Sequence, residues 1–227
     1  MRNKEKDALE MARRQQTFLE TGFRLFSEKG IEQISMNDIA RASGSGIATL
    51  YRYYSTKRDL VVAIGVQQWE AFFQASLRRR EAAGTERMTG AEEYAYFLER
   101  FIALYQENPK LLRFNQLFNL YVQSENVLGE GLDPYARTME AFAGRFHEIY
   151  AKGLVDGTLN GEIPEPVMYA ATLHIMLAAV TRYAVGLLYR PEGGMDLVEE
   201  LRMLKRMFLR EFTRGNDKDN AGGEAPA

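Results

Sequence analysis

The chain has 227 residues, 46% of them apolar and 26% charged, the composition of a folded globular protein long enough to bury a core without disulfides or metal staples. It contains no cysteine, which excludes a disulfide framework, a thiolate nucleophile and a cysteine-held zinc or iron–sulfur site, and fits a reducing compartment. The net charge of −2 is unevenly spread: residues 1–60 carry eleven Lys/Arg against eight Asp/Glu and residues 61–227 eighteen against twenty-three, a basic front on an acidic body rather than a protein that coats nucleic acid without specificity.

Apolar residues recur with a period near 3.6 along nearly the whole chain, and six prolines leave room for long helices, so the expectation is an all-α protein of about nine helices. Arg2, Lys4 and Lys6 are followed by polar sequence with no signal-peptide core, which points to the cytoplasm. The first helix is expected from Ala8, with Phe18, Leu19, Gly22, Leu25 and Phe26 on one face, ending at Lys29-Gly30 as a basic last turn and a glycine stop require. Ser35 and Asp38 are spaced to cap a second helix that starts at Met36 and ends at Ser43-Gly44, the hydroxyl and the carboxylate answering each other across one turn. A short third segment, Gly46–Tyr54, places Leu50 and Tyr54 inward; Thr56 and Asp59 repeat the cap spacing before a long fourth helix from Lys57 towards Arg80.

After a loop from Ala82 to Gly90, a fifth helix carries Tyr94, Phe97, Leu98, Phe101 and Tyr105, and Pro109 opens a sixth with Leu112, Phe114, Leu117, Phe118 and Tyr121. Beyond Gly129–Pro134 a seventh holds Met139, Phe142, Phe146, Ile149 and Tyr150; the eighth is expected from Pro166 to Tyr189 and the ninth through Leu197, Leu201, Leu204, Phe208 and Phe212. Val167–Tyr189 is long enough for a bilayer, but His174 and Arg182 interrupt it, so it reads as a helix of a bundle rather than a membrane span. Residues 216–227 read as a disordered tail.

Two short helices joined by a glycine turn make a helix-turn-helix, whose second member enters the major groove of DNA. The residues are specific. Ile39-Ala40-Arg41-Ala42-Ser43-Gly44-Ser45-Gly46-Ile47-Ala48-Thr49-Leu50-Tyr51-Arg52-Tyr53-Tyr54, then Ser55-Thr56-Lys57-Arg58-Asp59-Leu60, with Leu25-Phe26-Ser27-Glu28-Lys29-Gly30 upstream, closely resembles the signature of tetracycline-repressor (TetR) family regulators over residues 15–65. Three positions depart from the usual pattern: Ser45 stands for a valine, Gly46 for a capping serine and Ala48 for a glycine. All three remain compatible with a helix. The resemblance implies a DNA-binding domain over 1–60, a helical ligand-binding and dimerisation domain over 61–215, and DNA contacts from Asn37, Ile47, Ala48, Thr49, Tyr51, Arg52, Tyr53 and Lys57. Tyr53 and Lys57 would hold phosphate, while Ile47 and Ala48, lacking hydrogen-bonding groups, would read only shape or a thymine methyl. Arg52 is open between a guanine contact and a salt bridge. Arg2, Lys4, Lys6, Arg13 and Arg14 would form either an arm along the DNA backbone or a solvated end.

The resemblance also implies a hydrophobic or aromatic small-molecule effector held in the aromatic body, with Phe101, Tyr105, Phe114, Phe118, Tyr121, Phe142, Phe146, His147, Tyr150 and His174 as candidate lining, and a homodimer joined through the eighth and ninth helices. Asn115, Gln116, Asn119 and Arg182 are further polar groups available to orient a ligand. Neither histidine follows a glutamate by three residues, no glycine loop of phosphate-binding type occurs, and no activated serine or paired carboxylates can be read from the spacing, so neither an enzyme nor a metal or cofactor is expected. The expected function is a ligand-released repressor acting as a dimer on a palindromic double-stranded DNA operator, with no membrane partner. The alternative is a DNA-binding protein of the same fold without a small-molecule switch, either nucleoid-associated or protein-responsive.

Overall fold

The computed structural model describes residues 4–125, 130–187, 189 and 192–214. Arg2 and the tail 216–227 lie outside the described residues, as do Gly129 and Pro191 of two expected loops. Among the described residues there are nine α-helices: α1 Lys4–Lys29, α2 Met36–Ala42, α3 Ile47–Tyr53, α4 Lys57–Ala83, α5 Gly90–Glu107, α6 Pro109–Ser124, α7 Asp133–Val155, α8 Glu165–Val185 and α9 Leu197–Phe212. Bridge pairing of β type is confined, among those residues, to one isolated antiparallel bridge between Leu159 and Thr213. The expected all-α class is what the structure shows.

Local chemistry sets the helix ends. Ser35 and Asp38 form a reciprocal cap on α2, the Asp38 N–H donating to Ser35 Oγ at 3.2 Å and the Ser35 N–H to Asp38 Oδ2 at 3.0 Å. Thr56 and Asp59 repeat it on α4, at 3.1 and 2.9 Å. A third box, Thr89 with Glu92 (3.3 and 2.7 Å), opens α5, inside the segment expected to be loop; that segment also holds a short 3-10 turn at Thr85–Arg87. Two more donors at the start of α5 are answered from the loop that follows α7, Gly90 N–H by Asp156 Oδ2 at 2.7 Å and Ala91 N–H by Thr158 Oγ1 at 2.9 Å, so the orphan amides of this terminus all have acceptors.

Other boundaries differ from expectation. α1 begins four residues before Ala8, the added turn holding Lys4, Glu5 and Lys6, good helix formers that need no core contact; residues 8–16 are exposed. α8 ends at Val185, four residues before Tyr189, where Gly186 takes a φ of 117°.

The chain packs into two compact units, Met1–Ala75 with Asn108–Glu140, and Ser76–Glu107 with Ala141–Ala227. The unit carrying the helix-turn-helix thus extends beyond residue 60 and takes in α6. Its core joins Phe18 and Phe26 of α1, Ile39 of α2, Leu50 of α3, Leu60 and Ile64 of α4, and Phe114, Phe118 and Tyr121 of α6. At Gly65, a Cβ would press on the rings of Phe118 and Tyr135, so the missing side chain lets α4 approach them closely.

In the second unit α5 packs against α8 and α9. Tyr94 is fully buried, its ring edge-to-face with Phe146 (centroids 6.1 Å) and Phe212 (6.2 Å), and its hydroxyl is 2.8 Å from Thr172 Oγ1. Burial drives the Tyr94 phenol well above its ordinary range, so it stays protonated. Glu93, only 3% exposed, meets three cations: Arg80 of α4 at 3.1 Å, Arg145 of α7, and Lys152 of α7 at 3.1 Å. Burial raises its carboxyl, yet the Lys152 hydrogen bond and the Arg145 and Arg80 charges outweigh this and hold it below the usual glutamate range. α8 is long and apolar enough to cross a membrane by length and composition, but it buries Met168, Thr172, Met176, Val180 and Thr181 while exposing His174 and Arg182, the pattern of a helix packed on one side.

Candidate nucleic-acid interface

The turn between α2 and α3 fixes the reading helix. Gly44 has a φ of +67°, which only glycine adopts without strain. Around it the Ser45 N–H donates to Ala40 O at 2.9 Å and the Gly44 N–H to Arg41 O at 3.1 Å, the paired bonds that close a helix on a left-handed residue. Gly46 is the N-cap of α3, in extended conformation and with no side chain to contribute. Leu50 is fully buried and Tyr54 nearly so, which locks one face of α3 inward and leaves the other to solvent.

The eight residues expected to touch DNA divide by burial. Asn37, Ala48, Tyr51 and Arg52 are exposed, Tyr51 by 49%. Thr49 is half-buried. Ile47 and Tyr53 are half-buried against the core, and the Tyr53 ring meets Phe18 edge-to-face at 5.5 Å; both spend part of their surface on packing, since they flank the Leu50–Tyr54 face on a helix of 100° per residue. Arg52 and Arg58 are exposed and have no ion-pair partner among the described residues, whereas Arg41 is paired with Asp38 at 2.6 Å.

Lys57 is placed differently from a free surface cation. Its Nζ is 3.5 Å from Glu32 O and 5.9 Å from the centroid of the Tyr121 ring. Desolvation there lowers its ammonium pKa, opposed by the charges of Glu32 and Glu125. Around Lys57 stand Glu32, Tyr121 and Glu125, which the sequence pattern does not signal: Tyr121 and Glu125 lie far from the helix-turn-helix in spacing, and Glu32 falls in the link before α2.

The ten candidates for a ligand site divide between the two compact units. Phe114, Phe118 and Tyr121 belong to the core of the first unit, where the Phe118 ring packs tilted against that of Tyr135, centroids 4.7 Å apart. Phe101, Tyr105, Phe142, Phe146, His147, Tyr150 and His174 lie in the second. There Phe97 packs against Phe101 and Phe146 at 5.5 and 5.7 Å, Tyr105 meets Tyr183 at 6.2 Å, Phe142 is half-buried, and the Tyr150 hydroxyl donates to Ile163 O at 2.8 Å. His147 and His174 are exposed, and His147 Nδ1 is 2.9 Å from Glu165. Of the further polar candidates, Asn115 is buried and accepts from the Tyr135 hydroxyl at 3.3 Å, Gln116 is half-buried, and Asn119 and Arg182 are exposed. No cluster of three or more potential metal ligands occurs among the described residues.

Residues 18–64 match the family of bacterial regulatory proteins, tetR family. A relative from Staphylococcus aureus (strain bovine RF122 / ET3-1), the HTH-type transcriptional regulator SAB2452, is 47% identical over 55 residues, 24% of this chain and 28% of its own length. The transcriptional regulator FadR of Bacillus subtilis, solved in complex with stearoyl-CoA, superposes with a TM-score of 0.66 at 16% identity, covering 86% of this chain and 97% of that one. A bacterial regulatory protein in the tetR family from Rhodococcus RHA1 gives 0.66 at 14% identity, covering 87% and 95%. At such identities the structures carry the fold alone. The helix-turn-helix of this chain is therefore a tetR-family one, and the resemblance holds over the residues that carry it, within a chain that has the overall fold of these regulators. The chain spans little more than a quarter of the length of the curated relative that it matches.

Proposed function

We propose that the protein is a cytoplasmic, non-enzymatic transcriptional regulator that binds a palindromic operator as a homodimer and is released from it by a hydrophobic or aromatic small molecule. The observation that carries the reading is α3, pinned by buried Leu50 and Tyr54 and presenting Ala48, Tyr51 and Arg52 outward in a tetR-family frame. Tyr51, Arg52 and Thr49 serve as groove-facing groups, Ala48 as a shape or methyl contact beside the partly packed Ile47, Tyr53 and Lys57 as partners of the backbone, and Asn37 as a base or phosphate contact. Residues 1–60 act as the reading head and 61–215 as the effector and dimer body.

The dimer is supported by apolar side chains left in solvent on α8 and α9: Val167 (56% exposed), Ile175, Met203 and Met207 (61%). Two helices from each subunit would cover them. The effector is supported by the stearoyl-CoA held by a protein of the same fold and by aromatics in the second unit. The ring-on-ring packing of Tyr94, Phe97, Phe146 and Phe212 favours the alternative of a DNA binder with a filled core and no small-molecule switch.

Linkage separates the two readings. A ligand that lowers operator affinity must itself bind more weakly by the same factor when operator is saturating. Thermal-shift screening supplies the ligand and selection from random-sequence duplexes the DNA. The regulator reading expects reciprocal weakening, about 100-fold for a differential binding of about 2.7 kcal/mol. Unchanged ligand affinity with and without DNA, for every hit, leaves the switchless DNA binder.

A further inference from the structure

The first residue of α4, Lys57, points its ammonium towards the C-terminal end of α6. Four groups receive it there: the Tyr121 ring at 5.9 Å from the centroid, Glu32 O at 3.5 Å, and the carboxylate charges of Glu32 and of Glu125. A cation over an aromatic face within about 6 Å is held by the ring quadrupole. Tyr121 is a rigid post for this purpose. It is buried in the core of the unit, and its carbonyl accepts from the Glu125 N–H at 3.0 Å and from Ser124 Oγ at 2.9 Å. Lys57, on a flexible four-carbon stem and half-buried, is the movable partner. Its neighbour Arg58 is exposed without an ion pair among the described residues, so the two adjacent cations differ in how readily they can reach an incoming phosphate.

We propose that Tyr121 is a positioning residue for Lys57, withholding its ammonium at the end of α6, so that DNA binding exchanges the tyrosine ring for a backbone phosphodiester. This rests on the reading of Lys57 as a phosphate contact. It makes α6 a determinant of DNA affinity through one side chain: any change that draws the end of α6 away from α4 releases the cation, and any change that presses it closer retains it. The exchange is independent of base sequence, because a phosphodiester oxygen is the same at every step of the duplex.

The test uses the full chain and a mixed-sequence DNA duplex of about three helical turns. Tyr121→Leu removes the ring, Tyr121→Phe keeps it, and each is made with Lys57 and with Lys57→Gln; circular dichroism and melting confirm that every variant is folded. Tyr121→Leu is expected to tighten DNA binding by about threefold when Lys57 is present and not at all beside Lys57→Gln, with Tyr121→Phe at the wild-type value. Lys57→Gln alone is expected to weaken binding and reduce the salt slope by about one. Failure of that last result overturns the phosphate reading and the proposal with it. If Lys57→Gln behaves as expected but Tyr121→Leu acts equally in both backgrounds, or weakens binding only when Lys57 is present, the phosphate contact stands and the withholding role is overturned. A second readout needs no affinity: the lysine ε-methylene resonance of Lys57 is expected upfield in the free protein, from the ring current of Tyr121, and back at an ordinary position with saturating duplex. An ordinary position in the free protein, or an unmoved upfield resonance with DNA, contradicts the exchange.

Discussion

At Gly90 the absent side chain is a packing requirement. A Cβ there would overlap the backbone of Gly153, and a Cβ on Gly153 would overlap the Leu159 side chain, so the start of α5 and the end of α7 touch main chain to main chain. Gly90→Ala is expected to cost about 3 kcal/mol or more, because overpacking against backbone cannot be relieved by a rotamer change; urea unfolding measures it, and a loss below about 1 kcal/mol contradicts this packing. The caps act by hydrogen bonding instead. The side-chain and backbone hydrogen bonds from Ser35 lower the Asp38 carboxyl below its ordinary pKa, so its contribution is complete above the ordinary aspartate range and is lost as pH falls through the depressed folded value. Ser35→Ala is expected to lower the melting temperature at neutral pH and to narrow its difference from wild type on acidification. A difference that grows in acid has the wrong sign for a lowered carboxyl.

The Glu93 cluster ties three elements of the second unit, since its carboxylate meets Arg80 from α4 and Arg145 and Lys152 from α7 while standing on α5 itself. Lys152 also donates to Thr85 O at 3.0 Å, bracing the turn between α4 and α5. Removing the anion takes from largely buried Arg145 and from half-buried Arg80 and Lys152 the one carboxylate all three share, so Glu93→Ala is expected to destabilise by about 3 kcal/mol. The loss should be largest above the glutamate range and shrink as pH falls through the lowered folded pKa of Glu93, which urea titrations at several pH values measure; a pH-independent loss would assign the effect to packing. These elements show what the sequence makes legible. Period and caps locate nine helices in order, because Ser35-Asp38 and Thr56-Asp59 are local signals that the backbone obeys. The Thr89-Glu92 box was available by the same rule but sits among polar residues that read as loop. Gly90 against Gly153 and Lys57 against Tyr121 are contacts between distant positions, and a helical period says that Phe114 and Phe146 point inward without saying that they enter different cores.

At the scale of the whole molecule, the proposed dimer would read DNA with two heads, the contacts of each separating into those that recognise bases and those that hold phosphates. Sedimentation at micromolar concentration is expected to give a dimer, and charged substitutions at Ile175 and Met207 to give monomers that remain folded but lose operator affinity; a wild-type monomer contradicts the proposed interface. The most direct measurement is selection of duplexes from a random-sequence pool by the wild-type chain, followed by affinities of Tyr51→Ala and Lys57→Gln for the selected and for random DNA. The account predicts enrichment of a two-fold symmetric site with half-site centres about 34–36 Å apart or a multiple of that, a loss for Tyr51→Ala confined to the selected sequence, and for Lys57→Gln an equal loss on both duplexes. No enriched sequence, an enriched site without two-fold symmetry, or equal losses on random DNA for both variants would contradict a dimer that reads DNA with the outer face of α3.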